Sequence, residues 1–279
     1  MDQIAIISDV HGNLEALKTV LSDIKKRHIK EIFCLGDIIA KGVHSKECIK
    51  LIKENCKIVI RGNTDEFFAN DFSNEDLNSL TKKGLERVKW NKNLLTNEDM
   101  NYLKELPYSY EFYFSGRLIR LFHASPESID GFIGHFDKIE NYYKLFLPSN
   151  NTISNKKADI VIYGHSHMQE MQKLYNRVII NTGSVGNSLD VFRNDKKDAD
   201  PKYTTLCNYL ILKGNYGMNF SDISYEFVNI PYYIKKELSS NIFNPEKEAY
   251  EIELLKGKYR DMKNVYSSFD KRGIDSNKI

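Results

Sequence analysis

Ile4-Ala5-Ile6-Ile7-Ser8-Asp9-Val10-His11-Gly12 is the stretch on which the reading of the whole chain turns. Its apolar run is short and rich in β-branched residues, which predicts a strand buried on both faces. The run stops at a polar loop that opens with Asp9 and His11, two side chains able to bind metal. Leu14, Leu17, Val20, Leu21 and Ile24 then recur at helical spacing and predict an amphipathic helix. The same unit follows twice more. Residues 31–35 predict a strand ending at Gly36-Asp37, with a helix over 45–55. Residues 57–60 predict another, ending at Arg61-Gly62-Asn63-Thr64-Asp65. Consecutive strand–loop–helix units imply right-handed crossovers and a parallel sheet. Such a sheet delivers its C-terminal loops to one edge, so Asp9, His11, Asp37 and Asn63 are expected to face one crevice.

Beyond this the pattern changes. Residues 66–106 read as an inserted, mostly polar helical subregion, with helix starts at Asn74-Glu75-Asp76 and Thr96-Asn97-Glu98-Asp99. Residues 108–114 and 117–122 flank Ser115-Gly116 as a hairpin whose second strand stops at His123. A helix is expected over 138–146, and a strand over 159–163 that ends at Gly164-His165-Ser166-His167. A second hairpin, 170–175 with 177–181, leads into Thr182-Gly183-Ser184-Val185-Gly186. Residues 190–202 read as a charged loop. Strands near 203–212 and 223–228 are expected to extend the second half as a mainly antiparallel sheet, and 245–279 as a helix with a polar tail. The expected organisation is one α/β domain over 1–240, made of two sheets packed face to face with helices outside, and a C-terminal helix and tail over 241–279.

Composition removes several classes of function. The 279 residues are 41% hydrophobic and 28% charged, the profile of a globular domain rather than a disordered chain. Forty basic against 38 acidic residues leave a net charge of +2, so there is no strong nucleic-acid signal and no pull towards a membrane surface. No apolar stretch approaches the ~18 residues needed to span a bilayer. The N-terminus lacks a basic region followed by an apolar one, so it does not read as a signal peptide. Cys34, Cys48, Cys56 and Cys207 form no C-x-x-C pair and suit a reducing compartment. The expectation is a cytoplasmic protein; nothing in the sequence indicates an oligomeric state.

Five loops after five expected strands thus carry metal-capable side chains: Asp9-x-His11, Gly36-Asp37, Gly62-Asn63, His123 and His165-x-His167. Imidazole mixed with carboxylate suits borderline divalent ions, whereas calcium and magnesium sites are mostly oxygen. Seven candidate ligands, Asp9, His11, Asp37, Asn63, His123, His165 and His167, exceed what one ion needs. Two ions about 3.5–4 Å apart are the natural arrangement for phosphoryl hydrolysis.

These motifs, Asp9-Val10-His11, Gly36-Asp37 with Gly42, Gly62-Asn63-Thr64-Asp65, His123 and Gly164-His165-Ser166-His167, resemble those of the calcineurin-like metallophosphoesterases. The resemblance runs over residues 4–230, and residues 181–186 look like a segment of the compact bacterial branch. It implies a four-layer αββα sandwich of two mixed sheets. It also implies that Asp9, His11 and His167 hold one metal, that Asn63, His123 and His165 hold the other, and that Asp37 bridges them. Manganese, iron, zinc or nickel would serve, with a hydroxide between the ions attacking the phosphorus of a phosphate-ester or nucleotide substrate. One position departs from the pattern: many members carry His after the Gly-Asn pair, where this chain has Thr64. Losing a general acid costs ~10²–10⁴-fold on poor leaving groups, so phosphodiesters and activated monoesters are the expected substrates. His44 and His135 are the candidate replacements.

Each residue also has a plainer reading. Asp65 either orients a ligand histidine or caps the next helix. Arg61 either contacts phosphate or forms a structural pair, and Ser184 and Asn187 either line the pocket or shape a turn. Phe67, Phe68 and Trp90 read first as helix core. Two rival functions stand beside the hydrolase. A scaffold that keeps the fold without catalysis would not need all seven ligands. A mononuclear zinc hydrolase would carry H-x-H after its first strand, where this chain has Asp9-x-His11.

Overall fold

The computed structural model describes residues 1–70, 81–131, 133, 137–190 and 205–260. β1 (Asp2–Ile7) runs parallel to β2 (Glu31–Cys34), which in turn pairs in parallel with β3 (Ile58–Val59). The register, Ile7 opposite Cys34 and Cys34 opposite Val59, ends all three strands at one level. Their loops therefore emerge together, as the repeating units predict. The second sheet contains β4 (Ser109–Phe114), β5 (Arg117–Phe122), β6 (Ile160–Tyr163), β7 (Gln169–Leu174) and β8 (Arg177–Thr182), in the order β4-β5-β6-β8-β7. Its three central strands are parallel and its two edges antiparallel.

The last two strands correct the sequence reading. β9 (Cys207–Gly214) and β10 (Ser224–Ile230) do not extend the second half; they join the first sheet, in the order β10-β9-β1-β2-β3. β9 lies antiparallel against β1, with Ile4 opposite Leu212 and Ile6 opposite Leu210. A buried central strand goes where both its faces find apolar partners, and chain order does not decide that.

Alternation along the strands builds the layers. Ile4 and Ile6 of β1, with Phe33, Leu210 and Leu212, face inward and meet Ile119, Leu121, Ile160, Ile162 and Ile180 of the second sheet. Ala5, Ile7, Tyr209 and Ile211 face outward beneath α1 (Leu14–Lys26) and α2 (Ser45–Asn55), against Leu17, Val20, Ile24, Cys48, Ile49 and Ile52. On the far side Phe122, Val161, Tyr163 and Ile179 pack under a short helix (Ile139–Lys144) through Tyr142, Leu145 and Phe146. The result is the four-layer αββα sandwich. Three further helical segments, Asn63–Ala69, Lys82–Asn93 and Asn97–Glu105, make up a helical subregion after β3. Beyond β10 come helices Ile234–Ser239 and Lys247–Lys256. The expected helix start at 74–76, most of the charged loop over 190–202, His135 and the polar tail from 261 onward lie outside the described residues. None of the helices among the described residues is long and apolar enough to cross a membrane.

Candidate metal centre

The loops that leave β1, β2, β3, β5 and β6 are stitched together by backbone hydrogen bonds. Asp9 N–H donates to Gly36 O at 3.0 Å, His11 N–H to Asp37 O at 2.9 Å, and Gly164 N–H to His123 O at 2.9 Å. The segment after β8 closes the ring: Val185 and Gly186 donate to Ser8 O and Asp9 O at 2.9 and 3.0 Å. Asn13 caps α1 by accepting from Ala16 N–H, so the helix begins as soon as the first loop has turned. Glycine is required where backbones crowd the carboxylates. A methyl at Gly62 would strike Asp37, and one at Gly164 would strike Ser8 and Asp9.

All seven expected ligand side chains meet at this edge. Asp9, His11 and His167 form one buried group and Asp9, Asp37 and His123 another, with the ligand atoms of each group within 4.8 Å of one another. His11 Nε2 lies 3.0 Å from His167 Nε2, 3.7 Å from Asp9 Oδ1 and 3.5 Å from Asp37 Oδ2. The other carboxylate oxygen of Asp37, Oδ1, is 3.5 Å from His123 Nε2. Asn63 Oδ1 sits 3.0 Å from both His123 Nε2 and His165 Nδ1. Atoms bonded to a common zinc-like ion at about 2.1 Å stand roughly 3.0–3.4 Å apart, and the spacings here, 3.0–3.7 Å, lie close to that.

The donor chemistry fits a cation. His11, His123 and His167 each donate Nδ1–H to a backbone carbonyl: Ile39 O at 3.3 Å, Leu35 O at 2.8 Å and Asn187 O at 2.5 Å. That choice of tautomer leaves each Nε2 lone pair pointing inward. Two such lone pairs face each other across 3.0 Å between His11 and His167. Asp9 Oδ1, beside them, is buried without a hydrogen-bond partner. Acceptors gathered around acceptors repel unless positive charge lies between them. The backbone is strained here as well. Asp9, His11, Asp37, His165 and His167 all have φ between 51° and 64°, a left-handed conformation costing roughly 1–3 kcal/mol for each such residue.

Electrostatics tells the same story in protons. Burial pushes Asp37 above its usual carboxylate range, and with a carboxylate partner so near His123 rises too, Asp37 and Asp9 outweighing its own desolvation. Burial also works to raise Asp9, yet His167, His123 and His11 hold it below the normal range. His165 falls to about 3 and His11 well below 6.5, chiefly through burial, so both imidazoles are neutral and available at pH 7.

The remaining expectations separate. Asp65 is wholly buried and accepts from Gly62, Ile38 and Ile39 N–H at 3.0, 2.9 and 3.4 Å, capping its helix and tying two loops together. Thr64 N–H donates to Asp37 Oδ1 at 2.8 Å and its hydroxyl to Ile39 O at 3.2 Å. His44 stands at the start of α2, 3.8 Å from Glu47, and is not among the residues lining the cleft over the ligands. Arg61 donates to Leu106 O and Lys104 O, a structural role. Ser184 hydroxyl donates to Asp9 O at 2.7 Å, and Asn187 supplies the carbonyl that orients His167.

The cleft encloses 710 Å³, with His11, Asp37, Asn63, His165 and His167 on its floor. The helical subregion forms one wall through Phe67, Phe68, Arg87 and Asn91; Lys41 and Arg260 stand on the other. Glu253, held at about 2 by Lys41 and Arg260 against the effect of burial, receives Arg260 at 2.7 Å and Asn187 Nδ2 at 3.0 Å. The C-terminal helix thereby braces the residue that orients His167. Sequence reasoning missed this brace, because nothing local links Glu253 to Asn187.

Comparison with known proteins points the same way. The family model described as calcineurin-like phosphoesterase superfamily domain matches residues 3–197. An uncharacterized protein of Methanocaldococcus jannaschii is 35% identical over 196 residues, 67% of this chain and 77% of that protein. A metallophosphoesterase from Sphaerobacter thermophilus shares the fold with a TM-score of 0.66 at 23% identity, over 92% of this chain and 99% of that one. A hypothetical protein from Pyrococcus horikoshii gives 0.72 at 17% identity, over 93% and 100%. These relatives are archaeal and bacterial alike, so they do not single out a compact bacterial branch.

Proposed function

The chain belongs to the calcineurin-like phosphoesterase superfamily, and on that premise we propose that it hydrolyses phosphate esters with two divalent ions, leaning to phosphodiesters and activated monoesters. Asp9, His11 and His167 would hold the first ion and Asn63, His123 and His165 the second, with Asp37 placed between the two groups to serve both. Manganese, iron, zinc or nickel suits this mixture of imidazole and carboxylate. When bound, such ions supply Lewis acidity and lower the pKa of water from ~15.7 towards ~7. The chain's own residues fix the ligands in place: backbone carbonyls aim three imidazoles, and Thr64 N–H holds the Asp37 carboxylate.

The observation that carries this reading is the convergence of seven side chains from five loops, with unpaired acceptors turned towards one another. A non-catalytic scaffold has no use for so costly a cluster. Thr64 supports the lean towards good leaving groups, because its hydroxyl proton is committed to Ile39 O. The domain would comprise residues 1–240 with the helical insertion at about 66–106, while 241–279 braces it. The test is a hydrolysis screen of metal-loaded protein on bis-aryl phosphate, aryl phosphate and dinucleotides. Turnover abolished by Asp37→Asn supports the reading; wild type and variant equally inactive on every ester overturn it.

A further inference from the structure

Two polar groups on the cleft wall lack partners that their chemistry demands. Arg87 and Asn91 lie one turn apart on helix Lys82–Asn93, and both line the cleft above Asp37, Asn63 and His165. Arg87 Nε is buried and unpaired, and among the described residues no carboxylate forms an ion pair with its guanidinium. Asn91 is 3% exposed; its Nδ2 donates to Arg87 O at 2.9 Å, while its Oδ1 is buried without a donor. Buried polar atoms are satisfied in nearly all folded proteins, so a donor and an acceptor left open beside a cleft point to a ligand. The other arginine on the cleft, Arg260, is already committed to Glu253 and Glu246.

We propose that Arg87 and Asn91 form a recognition point for the part of the substrate beyond the scissile phosphate, and that the substrate is a nucleotide ester carrying a second phosphate. This rests on the phosphoesterase reading and names the substrate class for it. The planar guanidinium binds the oxyanion of the second phosphate through paired N–H donors. Asn91 Oδ1 accepts from a ribose hydroxyl or an exocyclic amine, the donors that a nucleotide places near its phosphates. Arg87 and Asn91 are specificity residues; no step of the hydrolysis passes through them.

The test is equilibrium binding, by calorimetry on chelator-treated protein, of two diadenylate probes that differ only in a 5′-terminal phosphate. Wild type should bind the phosphorylated dinucleotide about tenfold more tightly, the usual worth of one charge-assisted contact. Arg87→Met should bind both probes equally, Arg87→Lys should keep part of the preference, and Asn91→Ala should weaken both probes alike. Melting temperatures within a few degrees of wild type confirm that the variants fold. In manganese-loaded protein, Arg87→Met should raise KM for the phosphorylated dinucleotide towards that of the unphosphorylated one. A wild type without preference for the extra phosphate, or a preference that survives in Arg87→Met, overturns the proposal. If no ester is hydrolysed but the Arg87-dependent preference persists, the catalytic reading falls and this one stands.

Discussion

Two of the buried charge clusters among the described residues are built on opposite rules. In the second sheet Arg120 is wholly buried and pairs with Glu111 at 2.7 Å. Its remaining donors reach Phe146 O, Leu147 O, Ser154 O and Lys156 O, and Ser154 hydroxyl donates to the other Glu111 oxygen at 2.5 Å. Donors and acceptors balance there, and the cluster knits β4 and β5 to the loop before β6. At the sheet edge, acceptors face acceptors, Asp9 Oδ1 has no partner and five residues sit in left-handed backbone. A satisfied cluster needs nothing further, whereas an unsatisfied one persists because something outside the chain completes it.

The sharpest way to break this contrast is to remove one charge from each cluster. Asp37→Asn should cost more than ~10³-fold in turnover, about 4 kcal/mol of barrier, while metal-free stability holds or rises because a buried negative charge is relieved. Kinetics on bis-aryl phosphate with parallel thermal melts checks this. Arg120→Met should do the reverse, destabilising by about 3–4 kcal/mol because Glu111 is stranded, with most of the loss recovered in a double variant that also replaces Glu111 by Leu. Denaturant titration of the single and double variants decides it.

Manganese should then raise the melting temperature of wild type, by an amount equivalent to about 2.7 kcal/mol at a hundredfold excess over Kd, and leave that of Asp37→Asn nearly unmoved. Equal shifts in both proteins would place the metal elsewhere.

The smallest expected effect concerns a carboxylate between the two extremes. Glu237 is buried, with long hydrogen bonds from Glu15 N–H at 3.3 Å and Tyr250 hydroxyl at 3.4 Å, and burial lifts it to about 7. Its folded value lies above its unfolded one near 4.5, so the folded protein binds the extra proton. The stability it contributes is full below about pH 4.5, declines as pH rises to 7 and is gone above that. Glu237→Gln should therefore be more stable than wild type at pH 8, by about 1–3 kcal/mol, with the gain vanishing at pH 4.5. Melts across that range test it.

Much of the first sheet and the convergence of the candidate ligands was legible in the sequence, because local signals carried them. Ile4 to Ile7, the following Asp9 and His11, and the helical spacing from Leu14 onward lie within two dozen residues. What failed to show was decided by distant partners. β9 chose β1 over the second sheet because Leu210 and Leu212 fit beside Ile4 and Ile6, which no local pattern encodes. Asp65 offered two readings, and its bonds to Gly62, Ile38 and Ile39 emerge only once two loops are adjacent. Arg87 and Asn91, on a polar helix, look like any solvated pair until the helix is folded down over the cleft.

Counting metal is the most direct test of the central claim. Native mass spectrometry of manganese-loaded protein should find two ions per chain in wild type, and fewer in His123→Ala and in His167→Ala. A wild type that retains one ion or none, or variants that retain the full wild-type complement, would contradict the account.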